Sequence, residues 1–506
     1  MLLSLPALTA GWGIDDFVHR LLLMDVPGWG PHDDVLTELF SFLRPGPVND
    51  RLIERGILPW FAHPEIRGDL FRPLAALTHV LDTALFPDSA PLQHAHSLAW
   101  FGLGALVVGL TYRQVMGPGL AAGLAALLFA VDDLHAMPIA WIANRNALLA
   151  LALGGAGLLL HLRGRGLLAL LPLGLGLLAG EAALGALAYV AAWELCSERP
   201  WRSRALKLAP AAGLVLVWRG LYQWLGYGAY GGGLYVDPGR TPLKFVAALL
   251  ERGPVLMLAQ WLGLPIDLWL LAPRGLQLGL SIAGVLLSLA LLTWVWPVLR
   301  HDRPARFLAV GMLLACVPLC AAFPMDRLLL FPSLGAAGLL ARVVTQKADR
   351  ASRALLAWTL LGALLLPLRS ASGVPALQAI ISAPLQHADP GPEALEQTWV
   401  VVNGEAFSTF YMAILPPAQG RNGPARTGIL APIVRRVEVT RSGPRTLDLA
   451  VDEGWLASTS ERIVRDDTPF RVGERVTRPG FVAEVLELTP DGRPLRVRFT
   501  LDEDPS

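Results

Sequence analysis

Asp15 and Asp16 form an adjacent acidic pair in Gly-Trp-Gly-Ile-Asp-Asp-Phe, just beyond an apolar N-terminal stretch. Ionised carboxylates are expensive near hydrocarbon, so a pair held at a membrane edge points to function rather than decoration. Downstream come Phe71-Arg72-Pro73-Leu74, then Asp82 in Leu81-Asp82-Thr83, then His94 and His96. Asp132, Asp133 and His135 precede Trp141-Ile-Ala-Asn144-Arg145; Glu181 interrupts an apolar region, and Met325-Asp326-Arg327 separates two others. Carboxylates beside arginines suit a reaction between a phosphorylated lipid and a polar acceptor. A carboxylate takes the proton of an acceptor hydroxyl, while a guanidinium fixes and neutralises a phosphate leaving group.

Each of these residues also has a plainer role open to it. Asp15 and Asp16 could cap the helix that follows them. Arg145 is as well suited to a structural pair with Asp132 or Asp133 as to a phosphate. His94 and His96 stand two apart and share no helix face, so these two alone make a poor metal site. Glu181 could bond backbone at a tight turn, and Arg327 could anchor its helix at an interface. Trp12, Trp29, Trp60, Trp100 and Trp141 read mostly as an interfacial belt.

The elements that must position these groups are apolar helices. The chain has 506 residues, 54% hydrophobic and only 16% charged, with a mean hydropathy of +0.48. Soluble domains carry about 25% charged residues, so this composition reads as an integral membrane protein. A net charge of +1 excludes any general attraction to nucleic acid. Spanning or nearly spanning stretches fall at 97–112, 119–131, 145–162, 167–180, 182–197, 205–222, 275–299, 306–323, 328–345 and 354–370. With a short apolar N-terminal segment, Met1 to Ala10, the expectation is a polytopic α-helical membrane protein of about eleven transmembrane helices. Cys196, Cys316 and Cys320 lack metal-site spacing and read as small packing residues.

Basic residues orient the chain. Arg113, Arg163, Arg165, Arg199, Arg202, Arg204, Lys207, Arg300, Arg303, Arg306, Arg342, Lys347, Arg350 and Arg353 mark alternate loops as cytoplasmic. The intervening loops, 11–96, 132–144, the Gly180-Glu181 turn, 223–274, 324–327 and everything after about 371, then face outward. Parity makes 243–272 a re-entrant or interface-lying segment, broken by Pro254, Pro265 and Pro273. Residues 371–395 read as a linker. Residues 396–506 read as a β-rich domain outside the cytoplasm, with runs at Trp399-Val-Val-Val, Val434–Thr440, Thr446–Val451, Val482–Leu488 and Leu495–Thr500. Asp491-Gly492 marks a hairpin between the last two.

In order and common sidedness, these motifs resemble the GT-C superfamily of polytopic glycosyltransferases, which includes protein O-mannosyltransferases and bacterial lipid-linked sugar transferases. The resemblance runs over residues 1–370, through Asp15-Asp16, Phe71-Arg72-Pro73-Leu74 with Asp82, His94–His96, His135 with Trp141 and Asn144-Arg145, Ala179-Gly180-Glu181, and Asp326-Arg327 before Leu-Leu-Leu-Phe-Pro-Ser. It implies a polyprenyl-phosphate-linked sugar donor and inverting transfer to a glycan, lipid or protein acceptor outside the cytoplasm. Asp15 or Asp16 would be the base or a group that positions the acceptor, and Arg145 and Arg327 candidates for the donor phosphate. Arg72, Asp82, His94, His96, Asp133, His135, Asn144 and Glu181 would line the substrate site. Some members hold a divalent metal at the acidic pair, so a metal at Asp15 and Asp16 stays open. The chain departs from the pattern at Gly180, where many relatives carry lysine. The expected location is a bacterial inner membrane, with the catalytic face and C-terminal domain periplasmic. The rival readings are a scaffold displaying the β-rich domain and a lipid or solute transporter; the latter calls for charges through the bundle middle and for internal repeats, and neither stands out.

Overall fold

A computed structural model describes residues 2–24, 26, 29, 34–347, 349–383, 391–404, 406–432 and 435–504. Among the described residues, six helices are long and apolar enough to cross a membrane: Ala90–Met116, Ile142–Leu162, Trp201–Trp224, Pro242–Leu262, Arg274–His301 and the Arg350–Ser382 run. Leu120–Ala130 and Asp133–Ala140 add a seventh if the pair, bent by 42°, counts as one span. Gly166–Ala179, Leu184–Leu195, Arg303–Leu319 and Leu330–Lys347 pack with them. Length accounts for part of the gap between this count and the expected eleven. The 14 residues of Gly166–Ala179 rise about 21 Å, short of a hydrocarbon layer of about 30 Å.

The basic helix ends meet. Glu194 binds His161 at 3.1 Å and Arg199 at 3.0 Å, Asp302 pairs with Arg342, Arg303 lies over Trp193, and Lys347 donates to the Trp294 carbonyl. Asp133, Glu181 and Arg327 belong to short turns at the other ends of these helices, where Asp15 opens the Asp15–Leu23 helix and Arg72 precedes Pro73–Leu85. Pro242–Leu262, though long enough to span, starts and finishes among those turns. Lys244 pairs with Asp466 of the C-terminal region at 2.9 Å, while the Leu262 carbonyl accepts from Trp358 and Gly263 abuts Asp133. Its middle rests on the first third of Arg274–His301, through Ser281 bonding the Glu251 carbonyl and Gly284 against Pro254.

Two expected loops turn out to be ordered elements. The 132–144 loop folds back as short helices, with every residue from Asp133 to Leu151 buried. Its Met-Pro-Ile-Ala-Trp-Ile-Ala composition drives that burial, and Asp132 caps the fold by accepting from Leu134 N at 3.1 Å. The 371–395 linker is helical as far as Ser382. Val374 and Ile381 are buried there, and Pro375 is absorbed within the helix; positions 384–390 lie outside the described residues.

The outer side is knitted across long sequence separations. Strands β1 (Ser41–Leu43) and β2 (Arg67–Asp69) of the first loop pair antiparallel, and β2 pairs with β3 (Gly228–Tyr230). At the C-terminus, β4 (Thr398–Asn403) and β5 (Arg426–Ala431) run parallel. A five-stranded antiparallel sheet follows in the order β6-β7-β10-β9-β8, from β6 (Val437–Gly443), β7 (Thr446–Val451), β8 (Arg475–Arg478), β9 (Phe481–Leu488) and β10 (Pro494–Leu501). Asp491-Gly492 turns β9 into β10, with Gly492 at φ 82°. The core of this domain is not wholly its own. Trp60 and Phe61 of the first loop pack with Trp455, Phe470 and Phe499, and the Trp60 and Trp455 indoles both donate to the Leu430 carbonyl. Trp60 is therefore a core residue rather than part of an interfacial belt.

Trp60→Ala is expected to lower the melting temperature in detergent by several degrees, since truncating a buried Trp costs about 3–5 kcal/mol. Trp224, 81% exposed, is the control: Trp224→Ala should leave the transition in place.

Candidate functional site

The acidic pair divides. Asp16 is 2% exposed, and both its oxygens are taken by backbone: Oδ2 accepts from Gly13 N at 3.0 Å and Oδ1 from Ala143 N at 2.6 Å. It ties the first loop to the inserted 133–144 segment. Burial pushes its carboxyl up to about 7 against the pull of those two N–H groups. Asp15 is only half-buried. Its Oδ1 accepts from the Tyr411 hydroxyl at 2.7 Å, and among the described residues Oδ2 takes no hydrogen bond. Burial raises the Asp15 carboxyl, while Tyr411, Arg327 and Arg72 oppose that shift.

The turn that aims Asp15 is under constraint. Ile14 has φ 51°, a conformation that a β-branched residue rarely adopts and that costs about 1–3 kcal/mol. Its N–H donates to Gln378 Oε1 at 2.7 Å. A Cβ on Gly13 would collide with Val374 Cγ1, so only glycine lets the Leu366–Ser382 helix approach this closely.

Asp15 opens into a cavity of about 230 Å³, walled by the first loop, the 229–235 and 267–271 segments, the 323–327 turn, the 377–381 turn of helix and the C-terminal region. Two arginines line it, Arg67 and Arg327. Among the described residues no carboxylate lies within ion-pair distance of either. Arg67 donates to the Gly226 carbonyl. Arg327 touches Met325 Sδ at 3.3 Å and stands over the Trp141 ring at 5.3 Å. The walls are otherwise largely apolar, and at the rim Leu268, Leu271 and Ile380 are 41–51% exposed. A second cavity of about 420 Å³ lies beside Asp132, Asp133, Gln260 and Trp358, with no cation among its lining residues.

The other expected residues fall into structural pairs around this centre. Arg145 is 0% exposed and spends its guanidinium on Asp82, Ser97, Thr78 and the Gln93 carbonyl. It has its structural partner, which is Asp82 and neither Asp132 nor Asp133, and no nitrogen is left to face a donor phosphate. Asp82 also takes His96 Nδ1 at 2.7 Å. His94 bonds the Gly11 carbonyl at 2.8 Å, pinning the first loop from below. Arg72 meets Glu181 at 2.8 Å, and Glu181 also accepts from Tyr222. Asp133 and Asp326 share Arg369. His135 is buried between Phe101 and Phe129, and Asn144 is buried at the start of the next helix. Of the twelve, the structure brings Asp15 and Arg327 to one cavity, with Arg72 close enough to act on Asp15. Arg67, Tyr235 and Tyr411 also line or border it and carry no local motif; only the proximity created by folding singles them out.

The donor set does not suit a metal held by the acidic pair. Asp16 is saturated by N–H groups, and among the described residues no three His, Cys, Asp or Glu side chains stand together as a metal site would need.

Stability separates the two arginine classes. Arg145→Gln breaks a buried pair and should destabilise by about 3–5 kcal/mol, whereas Arg327→Gln breaks none and should shift stability by about 0.5 kcal/mol or less. Thermal unfolding of both variants in detergent checks this. No family model, curated protein or solved structure matches this chain.

Proposed function

We propose that this chain is a membrane glycosyltransferase of GT-C type, moving a sugar from a polyprenyl-phosphate donor to an acceptor outside the cytoplasm. One observation carries the reading: a half-buried carboxylate with an open oxygen and arginines free of ion pairs line the same cavity, whose rim is apolar. The apolar rim suits a prenyl chain and the arginines suit its phosphate.

In the reaction, the acceptor hydroxyl attacks the anomeric carbon of the sugar. The new carbon–oxygen bond forms as the bond to the phosphate oxygen breaks, and the hydroxyl proton passes to Asp15 Oδ2. Arg327, with Arg67, neutralises the departing polyprenyl phosphate. Arg72 helps keep Asp15 ionised from behind. Its guanidinium, paired with Glu181, lies beside Gly180, where many GT-C members have lysine; a Cβ on Gly180 would stand 3.7 Å from Arg72 Nε. The acceptor is a glycan, lipid or protein, and the C-terminal domain forms part of the wall it would meet. The basic helix ends support a reading in which the opposite, catalytic face and the C-terminal domain are periplasmic, on a bacterial inner membrane.

Purified protein incubated with polyprenyl-phosphate sugars and an acceptor panel should release polyprenyl phosphate, detected by mass spectrometry. Asp15→Asn should lose about 10²–10⁴-fold in rate, the usual contribution of a positioned base. Full activity in folded Asp15→Asn would remove the base from this reading, and no release by the wild type across donors and acceptors would remove the transferase.

A further inference from the structure

The C-terminal region lines the cavity from several segments, and one of them reaches Asp15. Residues Ala406–Tyr411 form a short helix packed against Leu366–Ser382, and the turn after it leads to Leu415–Ala418, which packs on the Asp15–Leu23 helix. Tyr411 is 3% exposed, with its ring 5.3 Å from that of Phe410. Its hydroxyl donates to Asp15 Oδ1 across 396 residues of chain.

We infer that Tyr411 is a positioning residue for Asp15. Its phenol fixes Oδ1, so that Oδ2 is the oxygen presented to the cavity, and the site is incomplete until the C-terminal segment docks. This rests on the reading of Asp15 as the base. Three observations support it independently of any titration. The contact is a short one between a buried donor and a half-buried acceptor. Asp15 has no other side-chain hydrogen bond among the described residues. The backbone beside it is held in a strained turn, which would be wasted on a carboxylate free to rotate.

A phenol that donates to a carboxylate favours its ionised form. The other charged or titratable groups facing Asp15 are Asp16 beside it, Arg72 before the Pro73–Leu85 helix, and Arg327 in the 326–328 turn. Arg67, Tyr230, Tyr235, Asp267 and Glu461 line the same cavity, Glu461 being paired with Arg435. Of these, Arg72 and Arg327 also favour ionisation, whereas Asp16 opposes it. All stay in place when the Tyr411 hydroxyl alone is removed, so the direction of its effect is unambiguous.

The test is Tyr411→Phe, which keeps the packed ring. Dicyclohexylcarbodiimide reacts with protonated carboxyls, so the pH dependence of its adduct on the Asp15 peptide, read by mass spectrometry, reports protonation without any substrate. Fragment ions that separate Asp15 from Asp16 should show Asp15 labelling persisting to higher pH in Tyr411→Phe than in the wild type, and Asp15→Asn supplies the background due to Asp16. In the release assay, kcat should fall about tenfold, the rate equivalent of one hydrogen bond to a charged group. The acid limb should move to higher pH, with KM for the donor unchanged. A labelling profile identical to wild type overturns the inference whatever the activity does. A labelling shift together with full turnover by Asp15→Asn instead overturns the role of Asp15 as base.

Discussion

The organisation of the outer face depends on how Asp16 is bound. A carboxylate buried to this degree is tolerated only when its oxygens are satisfied, and here two backbone N–H groups, from Gly13 and Ala143, satisfy them. Those bonds join the first loop to the inserted segment between two helices. Gln378 and Val374 close on the same turn from a third direction. The neighbouring Asp15 is thereby turned away from the bundle and into the cavity. One residue of the pair is the fastener and the other is the group it displays.

Much of this was legible in the residues. The apolar runs marked the helices, the basic loops marked ends that do meet, and the β-branched runs with Asp491-Gly492 marked β4, β6, β7, β9 and β10. That Asp15, Asp16, Arg72, Glu181 and Arg327 belong to one face also followed from order and sidedness. What sequence could not divide was the pair itself, because capping and display use the same side chain and differ only in which N–H groups fold nearby. Arg145 was ambiguous for the same reason, until its nitrogens were seen to be spent on Asp82, Ser97 and two backbone carbonyls. Trp60, Arg67 and Tyr411 carry no local signal, since their partners Trp455, Gly226 and Asp15 are brought to them by contacts between distant segments. The 371–382 segment misled because Pro, Ala and Ser usually mark a linker, while its burial on Gly13 is a tertiary effect.

The C-terminal domain is therefore part of the catalytic architecture proposed here. Its core is completed by Trp60 and Phe61 of the first loop, its Asp466 holds Lys244, and its entry segment bonds Asp15. The second cavity, beside Asp133 and Trp358, is as apolar at its mouth but lacks a cation in its lining, so it offers nothing to a phosphate. Charge, rather than size, distinguishes the two.

That distinction admits a direct measurement. A polyprenyl phosphate carrying a photoactivatable group in its first isoprene unit, cross-linked to the wild-type protein and mapped by peptide mass spectrometry, locates the lipid. Adducts on the 266–271 and 377–381 segments around Arg327 are the expected result, weakened in Arg327→Gln. Adducts confined to the 358–365 segment, unaffected by that substitution, would contradict the account.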